Sequence, residues 1–321
     1  MAGRIALGLL LLLAGVLAAA WGWRPGLDAY AEHAYRAPAA APGALTATWL
    51  GNTALLLTDG SSSVLIDPYF TRPPGLIRML ANREIASNEA VVRDWLARAR
   101  IERLDAVLVS HSHFDHALDA ATVARLTGAR LLGSTSTLNL GRGAGLPEAQ
   151  LRVMQGGDAA RFGTLRVTFI GSRHAGATGG APTGDITSPL GSPARYLDYR
   201  QGGTYSILVE HAQGQVLHHG SAGFVPGALK AYHADVVFLG VALVDDLPAY
   251  LTEVVDAAGA QRVIPVHWDD FTRPLEAPLR PLPVVVRLDR FFADMQRLRP
   301  AIAVQTLELN RPVALFAPAT P

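Results

Sequence analysis

Cysteine is absent from the 321 residues. That excludes disulfides, thiolate zinc sites, cysteine nucleophiles and a lipoprotein cysteine. Lysine occurs once, as Lys230 in Gly227-Ala-Leu-Lys230-Ala. No glycine-rich phosphate loop surrounds it, so a Walker-type or Schiff-base lysine is not signalled. Charged residues make up only 17% and the formal net charge is +1. No basic surface follows from that balance, and nucleic acid is not an expected partner. What is plentiful is apolar: 50% of the chain is hydrophobic. A disordered chain is thereby excluded, and the length supports a full core without covalent staples.

The first long feature is Ile5 to Trp23, 19 residues without a charge. As a helix it would be about 28 Å long, close to the thickness of a bilayer's hydrocarbon core. Arg4 precedes it, and Trp21 and Trp23 stand at its far end, where an interfacial aromatic belt would be. Residues 1–23 therefore read as an N-in membrane anchor or a signal peptide. Ala18-Ala19-Ala20 fits a cleavage site, whereas the length of the run favours an uncleaved anchor. The expected location is the inner membrane on its periplasmic side, or the periplasm if the segment is cleaved. Residues 24–44 include the Ala/Pro-rich Tyr35–Pro42 and read as linker. The folded domain is expected over 45–318.

Beyond the linker, short apolar runs at Leu45–Leu50, Ala54–Thr58 and Ser63–Asp67 are separated by Gly51-Asn52 and Asp59-Gly60, as in hairpins. Asn88–Arg100 has helical spacing, with Val91, Val92, Trp95 and Leu96 on one side. Asp105–Ser110 reads as a buried strand and Leu118–Leu126 as a helix. Strands follow at Arg130–Gly133, Leu165–Ile170, Thr204–Glu210, Gln215–His218, Asp235–Leu239 and Arg262–Val266, with helices at Ala249–Ala258 and Phe291–Arg299 and a last strand at Ala303–Leu307. Strands first, then strands mixed with helices, predict an α/β sandwich. Gly176 to Gly203 is rich in Gly, Pro, Ser and Thr and has the length of a lid or substrate loop.

The chemistry is concentrated in the histidines. His111-Ser-His113-Phe-Asp115-His116 follows the buried strand directly. Imidazole is the commonest neutral metal ligand, and carboxylate joins it readily on zinc. At an extended strand end, His111 and His113 point the same way and can grip one ion. Asp115 and His116, where the chain turns into a helix, can reach a neighbouring one. Without cysteine, such a set suits zinc, manganese or iron.

This hexapeptide resembles the signature of the metallo-β-lactamase-fold hydrolases. The segments Gly51-Asn-Thr-Ala and Val64-Leu-Ile-Asp67-Pro are similar to that family's opening hairpins, with Asp67 as an internal supporting residue. His174 and His267, each at a strand end, match its later metal histidines. The resemblance covers about residues 45 to 318 and implies a four-layer αββα sandwich with metals at one edge. It implies His111, His113 and His174 on a first metal, and Asp115, His116 and His267 on a second. It further implies one or two zinc ions, with manganese or iron also compatible, and hydrolysis by a metal-bound hydroxide that Asp115 orients or deprotonates.

One position departs from the family pattern. Its bridging Asp lies in a Gly-Asp-Ser/Thr-Gly segment, and here His218-His219-Gly220-Ser221-Ala222-Gly223 places Ser221 there. The centre could then be mononuclear, could recruit His218 or His219, or could belong to a non-catalytic or single-metal binding protein of the bacterial envelope. His33, His211 and His233 read as surface or packing residues. Asp67-Pro-Tyr-Phe with Arg72-Pro-Pro, and Pro265-Val-His267-Trp-Asp-Asp-Phe, are similar to the branch holding N-acyl phosphatidylethanolamine phospholipase D and ascorbate-phosphate lactonase. That resemblance implies an ester-type bond, phosphodiester or lactone, in a small-molecule or lipid substrate.

Overall fold

The structure is a computed structural model that describes residues 2–22, 24–37, 40–73, 75–176 and 179–317. Along the chain the strands are β1 (Thr46–Trp49), β2 (Leu55–Thr58), β3 (Ser63–Ile66), β4 (Glu84–Ile85), β5 (Ala106–Leu108), β6 (Arg130–Gly133), β7 (Leu151–Val153), β8 (Ala159–Phe162), β9 (Leu165–Gly171), β10 (Ala194–Arg195), β11 (Tyr205–His211), β12 (Gly214–His219), β13 (Val236–Gly240), β14 (Arg262–Val266), β15 (Ala303–Val304) and β16 (Val313–Ala314). They form two seven-stranded sheets, ordered β16-β1-β2-β3-β5-β6-β7 and β15-β14-β13-β12-β11-β9-β8, and a small β10-β4 ribbon.

The period-2 pattern of the strands explains the layering. Leu55, Leu57, Val64, Ile66, Ala106 and Leu108 face a core shared with Phe169, Ile207, Val209 and Phe238 of the other sheet. The residues between them, Leu56, Leu65 and Val107, turn the other way onto Val92, Trp95, Leu96, Val123 and Ala124 of the helices Glu89–Arg98 and Ala120–Thr127. With both faces covered, these strands read as unbroken apolar runs. On the second sheet's side, Leu251, Val254, Phe291, Phe292 and Met295 supply helical packing. The metallo-β-lactamase-type α/β sandwich expected from the sequence is the fold observed.

Each sheet begins antiparallel and ends parallel. β1, β2 and β3 pair antiparallel, and β3, β5, β6 and β7 run parallel. β8, β9, β11 and β12 pair antiparallel, and β12, β13, β14 and β15 run parallel. The carboxyl ends of parallel strands are where open α/β sheets bind ligands. The loops after β3, β5, β12 and β14 are those that carry Asp67, the His111–His116 run, Ser221 and His267.

Boundaries shift by a few residues from the sequence reading. The helix expected at Asn88–Arg100 is Glu89–Arg98, and Asn88 caps it by accepting from the Ala90 amide at 3.0 Å. The helix expected at Ala249–Ala258 is a short α turn, Leu247–Tyr250, running into a π stretch, Leu251–Asp256. Thr135–Gly143, unassigned from sequence because of its Thr, Ser and Gly, is a helix capped by Ser134.

The linker expected at 24–44 is corrected over its first part. Leu27–His33 forms a 3-10 helix whose Tyr30 is buried against Phe292, ring centroids 5.3 Å apart. Tyr35 donates its hydroxyl to the Ala314 carbonyl at 2.9 Å. Two aromatic rings bury enough apolar area to dock a segment whose Ala/Pro content alone would leave it loose. Pro38 and Ala39 lie outside the described residues. Ala2–Gly22 is helical. The side chains at 2–4, 6, 17 and 19–22, and Trp23 altogether, lie outside the described residues, and with them part of the expected anchor. Among the described residues no helix is long and apolar enough to cross a membrane.

Candidate metal centre

The six predicted ligands converge. His111, His113 and His174 form one group, and Asp115, His116 and His267 another; within each group one donor atom per residue lies within 4.8 Å of the others. His111 touches both groups, its ring centroid lying 4.8 Å from that of His113, 4.9 Å from His174 and 3.9 Å from His116.

Outward hydrogen bonds orient the rings of His116, His113 and His174, whereas His267 leans on Asp115 of its own group. His116 Nδ1 meets Asp67 Oδ2 at 2.9 Å, leaving Nε2 for the centre. His113 Nε2 meets the Pro182 carbonyl at 3.3 Å, leaving Nδ1. His174 Nδ1 meets the Ala175 carbonyl at 3.3 Å. His267 Nε2 lies 3.2 Å from Asp115 Oδ2. Asp67 is itself held, with the Ser110 amide donating to Oδ1 at 2.7 Å and the Ser110 hydroxyl to Oδ2 at 2.6 Å. Its supporting role, expected from the resemblance, is thus matched by its contacts.

Burial and mutual charge set the electrostatics. His111 is held well below the usual imidazole range by burial and then by the neighbouring His116 and His113. Burial, with His113 next, brings His174 down to about 4. His116 goes the other way: burial would lower it, but Asp115 and Asp67 together raise it. Burial would raise Asp115, yet His116 and His267 hold it far below the carboxylate range. The first group is therefore biased towards neutral imidazoles, whereas the second pairs an ionised carboxylate with an imidazole, that of His116, whose charged form the neighbouring carboxylates favour.

Whether a cation fits can be read from the unpartnered atoms. His111 Nε2 and His267 Nδ1 are fully buried and have no hydrogen-bond partner among the described residues. A buried polar atom without a partner costs about 1–3 kcal/mol. For His111, whose Nε2 faces a ring of imidazoles rather than any donor, a bound cation relieves that cost. Nitrogen and carboxylate donors without sulfur suit a borderline divalent ion, so the residues present fit a metal.

Ser221 has a task of its own. Its Oγ accepts from the Ala175 amide at 3.0 Å and so ties down the residue after His174. Gly223 makes this approach possible, because a Cβ there would collide with the His174 carbonyl. His219 has both ring nitrogens engaged, by Ser206 Oγ at 2.7 Å and the Gly223 carbonyl at 2.8 Å. His218 Nε2 meets the Thr53 carbonyl at 2.9 Å. Neither joins the two ligand groups. His33 stacks on Phe292, His211 lies near Asp59 and His233 near Asp235, all away from the centre.

Asn52, which the sequence marks only as a turn residue and as part of the Gly51-Asn-Thr-Ala resemblance, has a structural task at the site. It adopts φ +47°, a region Asn tolerates better than most residues. Its amide nitrogen donates to Asp269 Oδ1 at 2.8 Å, its side chain to the Asp115 carbonyl at 2.7 Å, and its carbonyl accepts from His267 at 3.0 Å. Asp269 in turn accepts from Arg72 at 2.6 Å in a fully buried pair. The first hairpin thereby locks both halves of the second triad. Of the segment Gly176–Gly203, expected as a lid or substrate loop, Ala181 and Pro182 line a cavity beside His113 and His174, Ile186 packs on the helix Thr135–Gly143 and Ala194 pairs with Ile85, and residues 177–178 lie outside the described residues.

A sandwich of two mixed sheets with six His/Asp donors at their carboxyl edges defines a metal-dependent hydrolase of the metallo-β-lactamase fold. The chain belongs to the beta-lactamase superfamily, whose family model, described as a beta-lactamase superfamily domain, matches residues 62–268. A metal-dependent hydrolase of Myxococcus xanthus is 28% identical over 245 residues, which are 74% of this chain and 76% of that one. One from Pyrobaculum islandicum is 24% identical over 228 residues, 70% and 84% of the two chains. Among solved structures, the metallo hydrolase Igni18 of Ignicoccus hospitalis superposes with a TM-score of 0.54 at 17% identity, over 84% of this chain and 97% of that one. Isothiocyanate hydrolase from Delia radicum gut bacteria gives 0.53 at 16%, over 85% and 100%. At these identities the likeness to the two structures is one of fold.

Proposed function

We propose that this protein hydrolyses an ester-type bond, phosphodiester or lactone, in a small-molecule or lipid substrate, using zinc held by His111, His113 and His174 and by Asp115, His116 and His267. The observation that carries this reading is the convergence of six donors into two groups at one sheet edge. A bound divalent cation supplies Lewis acidity and brings the pKa of water towards 7. The chain's own residues do the rest. Asp115, kept ionised by His116 and His267 against its burial, orients a water and accepts its proton at a carboxylate oxygen. Asp67 holds the His116 ring, and Pro182 the His113 ring, in one orientation each. We further propose that Ile5–Trp23 tethers the protein to the inner membrane with the hydrolase on the periplasmic side, or is cleaved to release it there. The support is the charge-free apolar run and its flanking Arg4 and tryptophans. The branch resemblance favours phosphate-bearing substrates, and nucleic acid is not among the proposed partners.

The test is elemental analysis of the full chain together with turnover of the His113→Ala variant on a phosphodiester and lactone panel. About two ions per chain, and activity lost in the variant with the fold intact, support the reading. Equal inactivity of wild type and variant with metal bound overturns it. A second reading rests on Ser221, which brings no charge to the position where the family has a bridging carboxylate. On that reading the protein binds one metal and does not hydrolyse, and the same analysis would find one ion on His111, His113 and His174 without turnover.

A further inference from the structure

The cavity beside the two triads, of about 450 Å³, has an uneven chemistry. At its inner end stand His113, Asp115, His174 and His267. The remaining wall is predominantly apolar, with Phe114, Phe271, Leu243, Leu282, Val284 and Val285. Among the described residues no arginine or lysine lines it, although the chain carries 28 such residues. Apart from the candidate ligands, its charged member is Asp270, whose carboxylate is already met by Arg24 at 3.2 Å and the Thr272 hydroxyl at 2.7 Å.

The backbone of this wall is held in costly conformations. Leu243, His267 and Val284 all have positive φ, at +61°, +58° and +65°. For a β-branched residue such as Val284 that is a true outlier, and such outliers collect at functional sites. Val284 is also 94% exposed, so an apolar side chain is presented at this rim with nothing folded over it.

We propose that the cavity receives the apolar arm of a neutral acyl ester or lactone. This rests on the hydrolase reading above and narrows its substrate class to esters that carry an apolar arm. An arm of aliphatic or aromatic carbon is complementary to the wall. A charge carried on the arm itself, away from the candidate ligands, would meet no lysine or arginine along this wall among the described residues. In the reaction the oxygen of water bonds to the acyl carbon and the acyl C–O bond breaks. One water proton passes to the leaving alkoxide and the other remains with the carboxylic acid, giving acid and alcohol without any other co-reactant.

The experiment compares kcat/KM of the zinc-loaded full chain, in phosphatidylcholine nanodiscs, for p-nitrophenyl acetate, butyrate and hexanoate and for bis(p-nitrophenyl) phosphate. The same series is run on Val285→Thr, a near-isosteric change that adds a hydroxyl to the wall. Partition of longer esters into lipid is common to both proteins, so the difference in slope reports the wall. The expected result is a rise of about three- to fourfold per methylene in the wild type, flattened in the variant. A flat series, equal slopes in the two proteins, or a preference for the phosphodiester would overturn the assignment of the cavity while leaving the hydrolase reading in place. Absence of turnover on all four substrates with two zinc ions bound would overturn the hydrolase reading, and the cavity assignment with it.

Discussion

His111, His113 and His174 bring no formal charge to the centre, whereas Asp115, His116 and His267 include one carboxylate and lean on a second, Asp67. The two triads also differ in what holds them. The first is steadied by backbone carbonyls, those of Pro182 and Ala175, and by the Ser221 hydroxyl beneath the His174 loop. The second is built into a buried network in which Asn52, Thr53, Asp67 and Asp269 all take part. Charge in a buried site must be matched, and the network around Asp115 matches it with imidazoles that sit 3.2 and 3.5 Å away. One triad is thus positioned by backbone carbonyls and a hydroxyl, and the other by charged groups bonded to one another.

The comparison can be broken most severely at the ligands. His113→Ala and His267→Ala should each lower kcat/KM by about 10³-fold or more, the scale on which single electrostatic stabilisers act in active sites. Elemental analysis should find the two variants short of one ion each, from different triads; loss of both ions in either would mean that the triads form one indivisible site. Asp67→Asn comes next. It keeps the shape but removes the charge behind His116, and the expected cost is about 10- to 100-fold in metal affinity or activity. Titration with zinc should show the weakening at one ion only, and equal weakening of both would erase the asymmetry. Asn52→Gly retains the freedom for positive φ and loses the contact to Asp115, and Asn52→Ala loses both. Unfolding free energy should fall in the order wild type, Gly variant, Ala variant, by about 1–3 kcal/mol for the unmade buried contact and further in the Ala variant for the positive φ, as read from denaturant melts. Smallest is Ser221→Ala, which removes one hydrogen bond worth about 1 kcal/mol, or roughly fivefold in affinity at the first triad. Ser221→Asp sharpens the same point: it should tighten the second ion, and unchanged zinc affinities would show that position 221 faces the His174 loop alone.

The candidate donor groups were legible because their signal is local. His111 to His116 lie within six residues, His174 follows the strand Leu165–Gly171 by three residues and His267 directly follows the apolar run Arg262–Val266. The fold class followed from the same runs. Asn52 was not legible beyond its turn, since its partner Asp269 is 217 residues away and nothing near either residue announces the pairing. The docking of 24–37 was hidden for the same reason: Tyr35 meets Ala314 across 279 residues, in a stretch whose alanines and prolines resemble a spacer. The helix Thr135–Gly143 was obscured by residues of weak helical propensity, which tertiary packing and the Ser134 cap override.

The cavity wall and the ligands come from largely separate stretches of chain. Leu243 and Leu282 to Val285 belong to connecting segments that carry no donor, whereas Asp115, His116 and His267 stand in a network already fixed from behind. Connecting segments tolerate insertion and replacement far better than the elements they join. Descendants of this chain could therefore trade one substrate for another by rewriting a few loop codons, with the reactive apparatus inherited unchanged.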